Sequence, residues 1–118
     1  MPVMRFSHGT LKPGAWNDFE QLYRDLAAER GDVPGLLGGV LARDTEGGDS
    51  GYTVSIWDSV DSMHAYEASD RAKAVAARFQ PFYSGDYKVI LSEMRLWDVR
   101  AAGASAEWPG SILGARAA

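Results

Sequence analysis

Apolar positions along the chain follow two rhythms, and the changes between them mark its elements. Val3–His8 alternates with period two, which predicts a strand with Met4, Phe6 and His8 on one face. Lys12-Pro13-Gly14 turns the chain. From Ala15 to Arg30 the spacing becomes helical, with Trp16, Phe19, Leu22, Tyr23 and Leu26 forming one stripe and Glu20 and Arg24 paired on the wet side. Gly31-Asp32-Val33-Pro34-Gly35 stops that helix. Leu36–Asp44 and Tyr52–Trp57 read as strands separated by the glycine-rich loop Thr45–Gly51.

At Asp58 the rhythm changes again. Asp58 or Ser59 caps a new helix, Asp61 places charge in its first turn, and Val60, Met63 and Tyr66 recur at helical spacing. Ser69-Asp70 gives a second cap signal, after which Ala72, Val75, Ala76 and Phe79 face inward until Gln80-Pro81 ends the helix. Phe82–Asp86 connects to Tyr87–Val99, which reads as the longest strand. Its two faces carry Val89, Leu91 and Trp97 on one side and Ile90, Met94 and Leu96 on the other.

The order is β-α-β-β-α-β, an α+β, ferredoxin-like antiparallel sheet with helices on one face. An apolar open face predicts a second copy packed against it, giving a homodimeric α/β barrel. Residues 1–100 form that domain, and residues 101–118 are an Ala- and Gly-rich extension. Its Trp108, Ile112 and Leu113 are expected to pack across the dimer or at the pocket mouth.

Composition narrows the field. At 118 residues and 46% hydrophobic, one core is expected, and a net charge of −4 provides no basic footprint for nucleic acid. There is no cysteine, so neither a disulfide framework nor a thiolate nucleophile is available. No signal-peptide pattern follows Met1–Phe6, and Leu36–Ala42, the longest uncharged apolar stretch, is too short to span a bilayer. A cytoplasmic protein without a membrane partner is the expectation.

Pro34-Gly35-Leu36-Leu37-Gly38, Leu41-Ala42-Arg43, Ser55-Ile56-Trp57-Asp58-Ser59 and Met63 together resemble the antibiotic biosynthesis monooxygenase (ABM) family over roughly Val3 to Val99. The resemblance implies a dimeric α/β barrel. Where members of that family degrade haem, their asparagine, tryptophan and histidine would fall at Ser7, Tyr66 and Ala76, none of which reproduces its counterpart. Where members oxidise polyketide phenols, an asparagine, a tryptophan and a tyrosine correspond to Thr53, Trp57 and Met63, and the tryptophan alone is kept.

The expected pocket lies between helices and sheet, lined by Trp16, Phe19, Tyr23, Trp57, Met63, Tyr66, Phe79 and Phe82, with Ser7, Thr53 and His8 as polar points. The expected activity is cofactor-independent monooxygenation of a small aromatic or polyketide-like phenol, with no metal. His8 would act as base and Trp57 and Tyr66 as positioning groups. Each has a structural alternative: Trp57 as a packing anchor, Tyr66 as a buried phenol, His8 as a hydrogen-bonded core histidine. Arg5 and Arg43 read as edge or outer-face charges that either could bring to an anionic substrate. His64 reads as solvated. Pro2 as a tautomerase-type base is a weaker reading, because those units are much shorter. A non-catalytic small-molecule-binding or stress-related barrel is the alternative function.

Overall fold

The computed structural model describes residues 1–85 and 87–98. Its elements are β1 (Val3–Thr10), α1 (Trp16–Glu29), β2 (Leu36–Arg43), β3 (Ser50–Trp57), α2 (Val60–Glu67), α3 (Asp70–Phe79), a 3-10 turn (Gln80–Phe82) and β4 (Lys88–Glu93). The sheet order is β2-β3-β1-β4 and every pairing is antiparallel, which is the ferredoxin-like arrangement.

Local chemistry accounts for the boundaries. Ser59 Oγ accepts from the Ser62 amide at 3.1 Å and caps α2; Ser69 Oγ accepts from the Ala72 amide at 3.1 Å and caps α3. Gly35, at φ +81°, makes the turn into β2 and its carbonyl accepts from the Asp58 amide at 2.8 Å. That bond ties the entry of β2 to the exit of β3. Leu37 is the extra residue of a bulge between Leu36 and Gly38.

β4 differs from the expected long strand. It stops at Glu93, opposite Val3, because the next residue back is Pro2, which has no amide hydrogen to give the ladder; the Met94 amide makes the last link, to the Pro2 carbonyl at 2.9 Å. Leu96 and Trp97 therefore lie outside the sheet, and Val99 and the extension with Trp108, Ile112 and Leu113 lie outside the described residues.

Residues paired across antiparallel strands share a face. One face carries Val3, Arg5, Ser7 and Gly9 with Trp57, Ser55, Thr53 and Gly51, and the helices cover this side. Val3, Val33, Trp57 and Met63 form one buried cluster there, joined by Leu36, Val60 and Tyr66. Leu11, Trp16 and Phe19 form a second, with Leu41, Phe79, Phe82 and Tyr83 packed around it. Trp16 is held from three sides. Its indole N–H donates to Glu20 at 2.9 Å, the Arg43 guanidinium lies 5.3 Å over its ring, and its edge fills the space left by the missing side chain of Gly51.

The opposite face carries Met4, Phe6 and His8 with Ile56, Val54 and Tyr52, and Ile90 at the β4 edge. Val54 and Ile56 at its centre are buried, whereas Tyr52 and Ile90 remain 43% and 48% exposed. Among the described residues no helix is long and apolar enough to cross a membrane.

Candidate active site

A cavity of about 520 Å³ opens between the helix-covered face of the sheet and helices α1 and α3. β1 contributes Arg5 and Ser7 to it, β3 contributes Thr53, α1 contributes Phe19 and Tyr23, and α3 contributes Ala76 and Phe79. Gln80, Tyr83, Gly85 and Tyr87 close the remaining side. Alternation explains the β1 and β3 contributions: Arg5, Ser7 and Thr53 share the inward face, with Ser7 directly opposite Thr53.

The segment after α3 is tied down by backbone bonds. The Lys12 amide donates to the Phe82 carbonyl at 2.8 Å, and the Ser84 amide and hydroxyl both donate to the Thr10 carbonyl at 3.0 Å. Tyr83 and Tyr87 stand with ring centroids 5.1 Å apart, over Gly9, where any side chain would collide with both. On the far wall, the Tyr23 ring reaches from α1 to β2. A Cβ added at Gly39 would sit 3.0 Å from its hydroxyl oxygen.

Arg5 is the only charged side chain among the described lining residues. Its Nε lies 3.3 Å from a carboxylate oxygen of Glu67 at the end of α2. Burial raises the Tyr23 phenol above its ordinary range, and the charge of Arg30 opposes this in part. Burial, then the neighbouring Tyr87, raises the Tyr83 phenol, opposed by Arg5. Both phenols therefore remain neutral donors across the physiological range. The cavity has a mixed polar and apolar lining with one cation and several hydroxyl donors, which suits a planar ligand bearing an anionic oxygen.

Of the eleven residues expected from sequence to form the pocket, Ser7, Phe19, Tyr23, Thr53 and Phe79 line this cavity, and so does Arg5, read as an edge charge that could meet an anionic substrate. The others lie elsewhere. His8 is on the opposite sheet face, its Nε2 3.6 Å from an Asp44 carboxylate oxygen and its ring 4.4 Å from that of Tyr52. Trp57 is 3% exposed within the first cluster, and its indole N–H donates to Ser55 at 2.9 Å, as a packing anchor would. Met63 is buried beside it. Tyr66 packs against Trp57 at 5.5 Å and borders a smaller compartment beyond Tyr23. Phe82 packs on Phe19, edge to face, at 6.0 Å. Tyr83, Tyr87 and Gln80 were not singled out from sequence; they lie in or beside a loop whose residues carry no periodicity. Among the described residues no group of three or more His, Asp or Glu side chains is placed to hold a metal ion.

Solved structures with this architecture are numerous. A Bordetella bronchiseptica protein bearing the name antibiotic biosynthesis monooxygenase is 19% identical, covers 80% of this chain and 98% of its own, and superposes with a TM-score of 0.72. A Caulobacter crescentus CB15 protein of the same name is 22% identical over 76% of this chain and 86% of its own, with a TM-score of 0.68. SnoaB, a cofactor-independent oxygenase from Streptomyces nogalater, is 18% identical over 82% of this chain and 98% of its own, at 0.67. At these identities the likeness shows the fold. No curated protein matches the chain significantly. A family model described as antibiotic biosynthesis monooxygenase matches residues 4–78, from the first strand to the last turn of α3. The chain therefore belongs to the antibiotic biosynthesis monooxygenase family.

Proposed function

We propose that the protein is a cofactor-independent monooxygenase acting on a small, electron-rich aromatic of the hydroxyanthrone or hydroquinone kind. The observation that supports this most is the pairing of the Arg5 cation with the neutral phenols of Tyr23 and Tyr83 around one cavity. A phenol bound there sits beside a positive charge, so its anion is favoured and its proton passes to water. The resulting anion reacts with dioxygen. For an anthrone, one oxygen atom enters the ring carbon as the new carbonyl, and the other leaves as water with the two hydrogens of that carbon. Arg5 offsets the negative charge through this sequence, while Tyr23 and Tyr83 donate hydrogen bonds to developing oxyanions. At about 520 Å³ the cavity falls within the range of about 300–1,000 Å³ usual for small-molecule sites. SnoaB, of the same fold, is a cofactor-independent oxygenase.

One observation favours the second reading, a non-catalytic binder of the same ligands. Among the described lining residues there is no carboxylate and no imidazole to serve as general base. Oxygen uptake with a panel of hydroxyanthrones and hydroquinones, without added flavin or metal, separates the two. Uptake that saturates with substrate and falls in Arg5→Gln supports the oxygenase. Tight binding with no uptake supports the binder.

The protein acts as a homodimer in this reading. Met4, Phe6 and Ile90 make the sheet face away from the helices the more apolar one, and Tyr52 and Ile90 at its rim are exposed in the single chain.

A further inference from the structure

Tyr23 and Phe79 line a second, smaller cavity as well as the large one. Their rings pack against each other, with centroids 6.4 Å apart and planes inclined by 53°, and form the partition between the two. The smaller compartment, of about 190 Å³, lies among α1, α2 and α3, with no described strand residue in its lining. Leu26, Ala27 and Val75 give it aliphatic surface, and Glu29, Arg30 and Arg71 carry its charges. Ala27, Glu29 and Arg71 are exposed, so it opens to solvent on the outer side of the helices.

Arg71 donates to the backbone carbonyl of Arg30, which fastens the first turn of α3 to the end of α1. That bond holds the Arg71 side chain in place and uses only part of its fork of N–H donors. Among the described residues neither Arg30 nor Arg71 forms an ion pair with a carboxylate, although Arg5, Arg24 and Arg95 each do. Each has a structural use: Arg71 ties two helices, and Arg30 follows α1 where the negative end of the helix dipole favours a cation. Neither use accounts for the apolar hollow beside them. Against the one carboxylate of Glu29, two guanidiniums leave a net positive charge, which suits a single anionic group. Their planar fork of donors fits a carboxylate. An apolar cavity of about 150 Å³ takes a benzene ring. At about 190 Å³ this one has room for a body of that size and an acid group.

We infer that this compartment is a binding site in its own right for a small carboxylic acid, an apolar body of about six carbons whose one anionic group is held by Arg30 and Arg71. Its ligand is a different molecule from the one in the larger cavity. It enters from the solvent side of the helices and meets none of Arg5, Ser7 or Thr53, which line the larger cavity alone. The inference goes beyond the proposed oxygenase and does not rest on it.

Nuclear magnetic resonance titration of the isotope-labelled protein with benzoate, benzamide and acetate tests this. Benzoate is expected to bind about tenfold more tightly than benzamide, which lacks the charge, and than acetate, which lacks the apolar body. Shifts are expected at the amides of Ala27 and Val75 and at the side-chain N–H groups of Arg30 and Arg71, and not at Ser7 or Thr53. In the Arg30→Gln, Arg71→Gln double variant the preference for the acid over the amide is expected to fall below about twofold. Because Arg71 also ties two helices, a second variant leaves both charges in place: Ala27→Phe fills the hollow and is expected to abolish benzoate binding in a folded protein. Failure of benzoate to saturate the wild type, or equal binding of benzoate and benzamide, overturns the inference. So does an acid preference that survives the double variant, binding that survives Ala27→Phe, or a set of shifts centred on Arg5, Ser7 and Thr53. Benzoate bound here in a protein that takes up no oxygen with any phenol removes the oxygenase and leaves this site standing.

Discussion

The guanidinium of Arg5 and the carboxylate of Glu67 stand 3.3 Å apart, joining the middle of β1 to the end of α2 at the edge of the cavity. The pair holds the cavity's cation in place and partly neutralises it. Replacing Arg5 by Gln is expected to lower oxygen uptake about 10- to 100-fold, the cost of removing a charge-assisted contact to an oxyanion. The melting temperature should barely move, because a partly exposed ion pair contributes about 0.2–1 kcal/mol. Glu67→Gln should tighten binding of anionic ligands, and His8→Gln, on the other face, should leave uptake intact. A His8 variant that lost turnover while remaining folded would place the chemistry elsewhere.

The two buried phenols give a pH signature. The ordinary phenol titrates near 10.0, and both Tyr23 and Tyr83 are raised above it in the folded protein. A group whose folded pKa is raised contributes stability fully present below the unfolded value and lost as pH rises through the folded one. Stability should therefore fall on the alkaline side of pH 10.0 and show no tyrosine-dependent change at neutral pH. Ultraviolet titration of the five tyrosines should show a late-ionising fraction, reduced in Tyr23→Phe. Simultaneous ionisation of all five would contradict the burial of these two.

Gly35 is expected to be the least replaceable glycine of the described turns. It combines a φ of +81° with a position where a Cβ would collide with the Ser62 side chain and the Asp58 carboxylate. Gly35→Ala should cost more than about 2 kcal/mol by denaturant titration, since left-handed strain and a clash add. Gly31→Ala, at φ +63° with open space around it, should cost only about 1 kcal/mol. Equal losses would show that backbone strain alone matters at both.

The proposed dimer can be tested at the edge strand. Ile90 is expected to lie against a second copy, so Ile90→Lys should convert a dimer at micromolar concentration to a monomer by light scattering, with little change in helix content. A wild-type monomer under the same conditions would remove the dimer from the proposal.

The fold was legible where the signals are local. Ser59, Ser69 and Pro81 act through bonds and clashes within a few residues, so α2 and α3 could be bounded from the chain alone. The end of β4 could not, because it is set by the partner strand: pairing stops where Val3 meets Glu93, whatever the apolar pattern of Met94–Val99 favours. The site was legible in part for a related reason. Period two separates Met4, Phe6 and His8 from Arg5 and Ser7 but does not say which set the helices cover. The more apolar set looked like the inner one, which put His8 in the pocket. The helices cover the other set, so Arg5, read as an edge or outer-face charge that could still meet an anionic substrate, lines the cavity instead.

Gly39 carries a consequence for how such a protein can change its diet. Its absent side chain is what lets the Tyr23 hydroxyl rest against β2. Alanine suits a strand better than glycine by backbone preference, so the obstacle to Gly39→Ala is the contact with Tyr23 alone. A single-nucleotide change there would nudge the partition by a few tenths of an ångström and resize both compartments together. In the proposed function the width open to a substrate would thus be set from behind, by a position that does not line the cavity, and it could be reset without changing Arg5, Tyr23 or Tyr83.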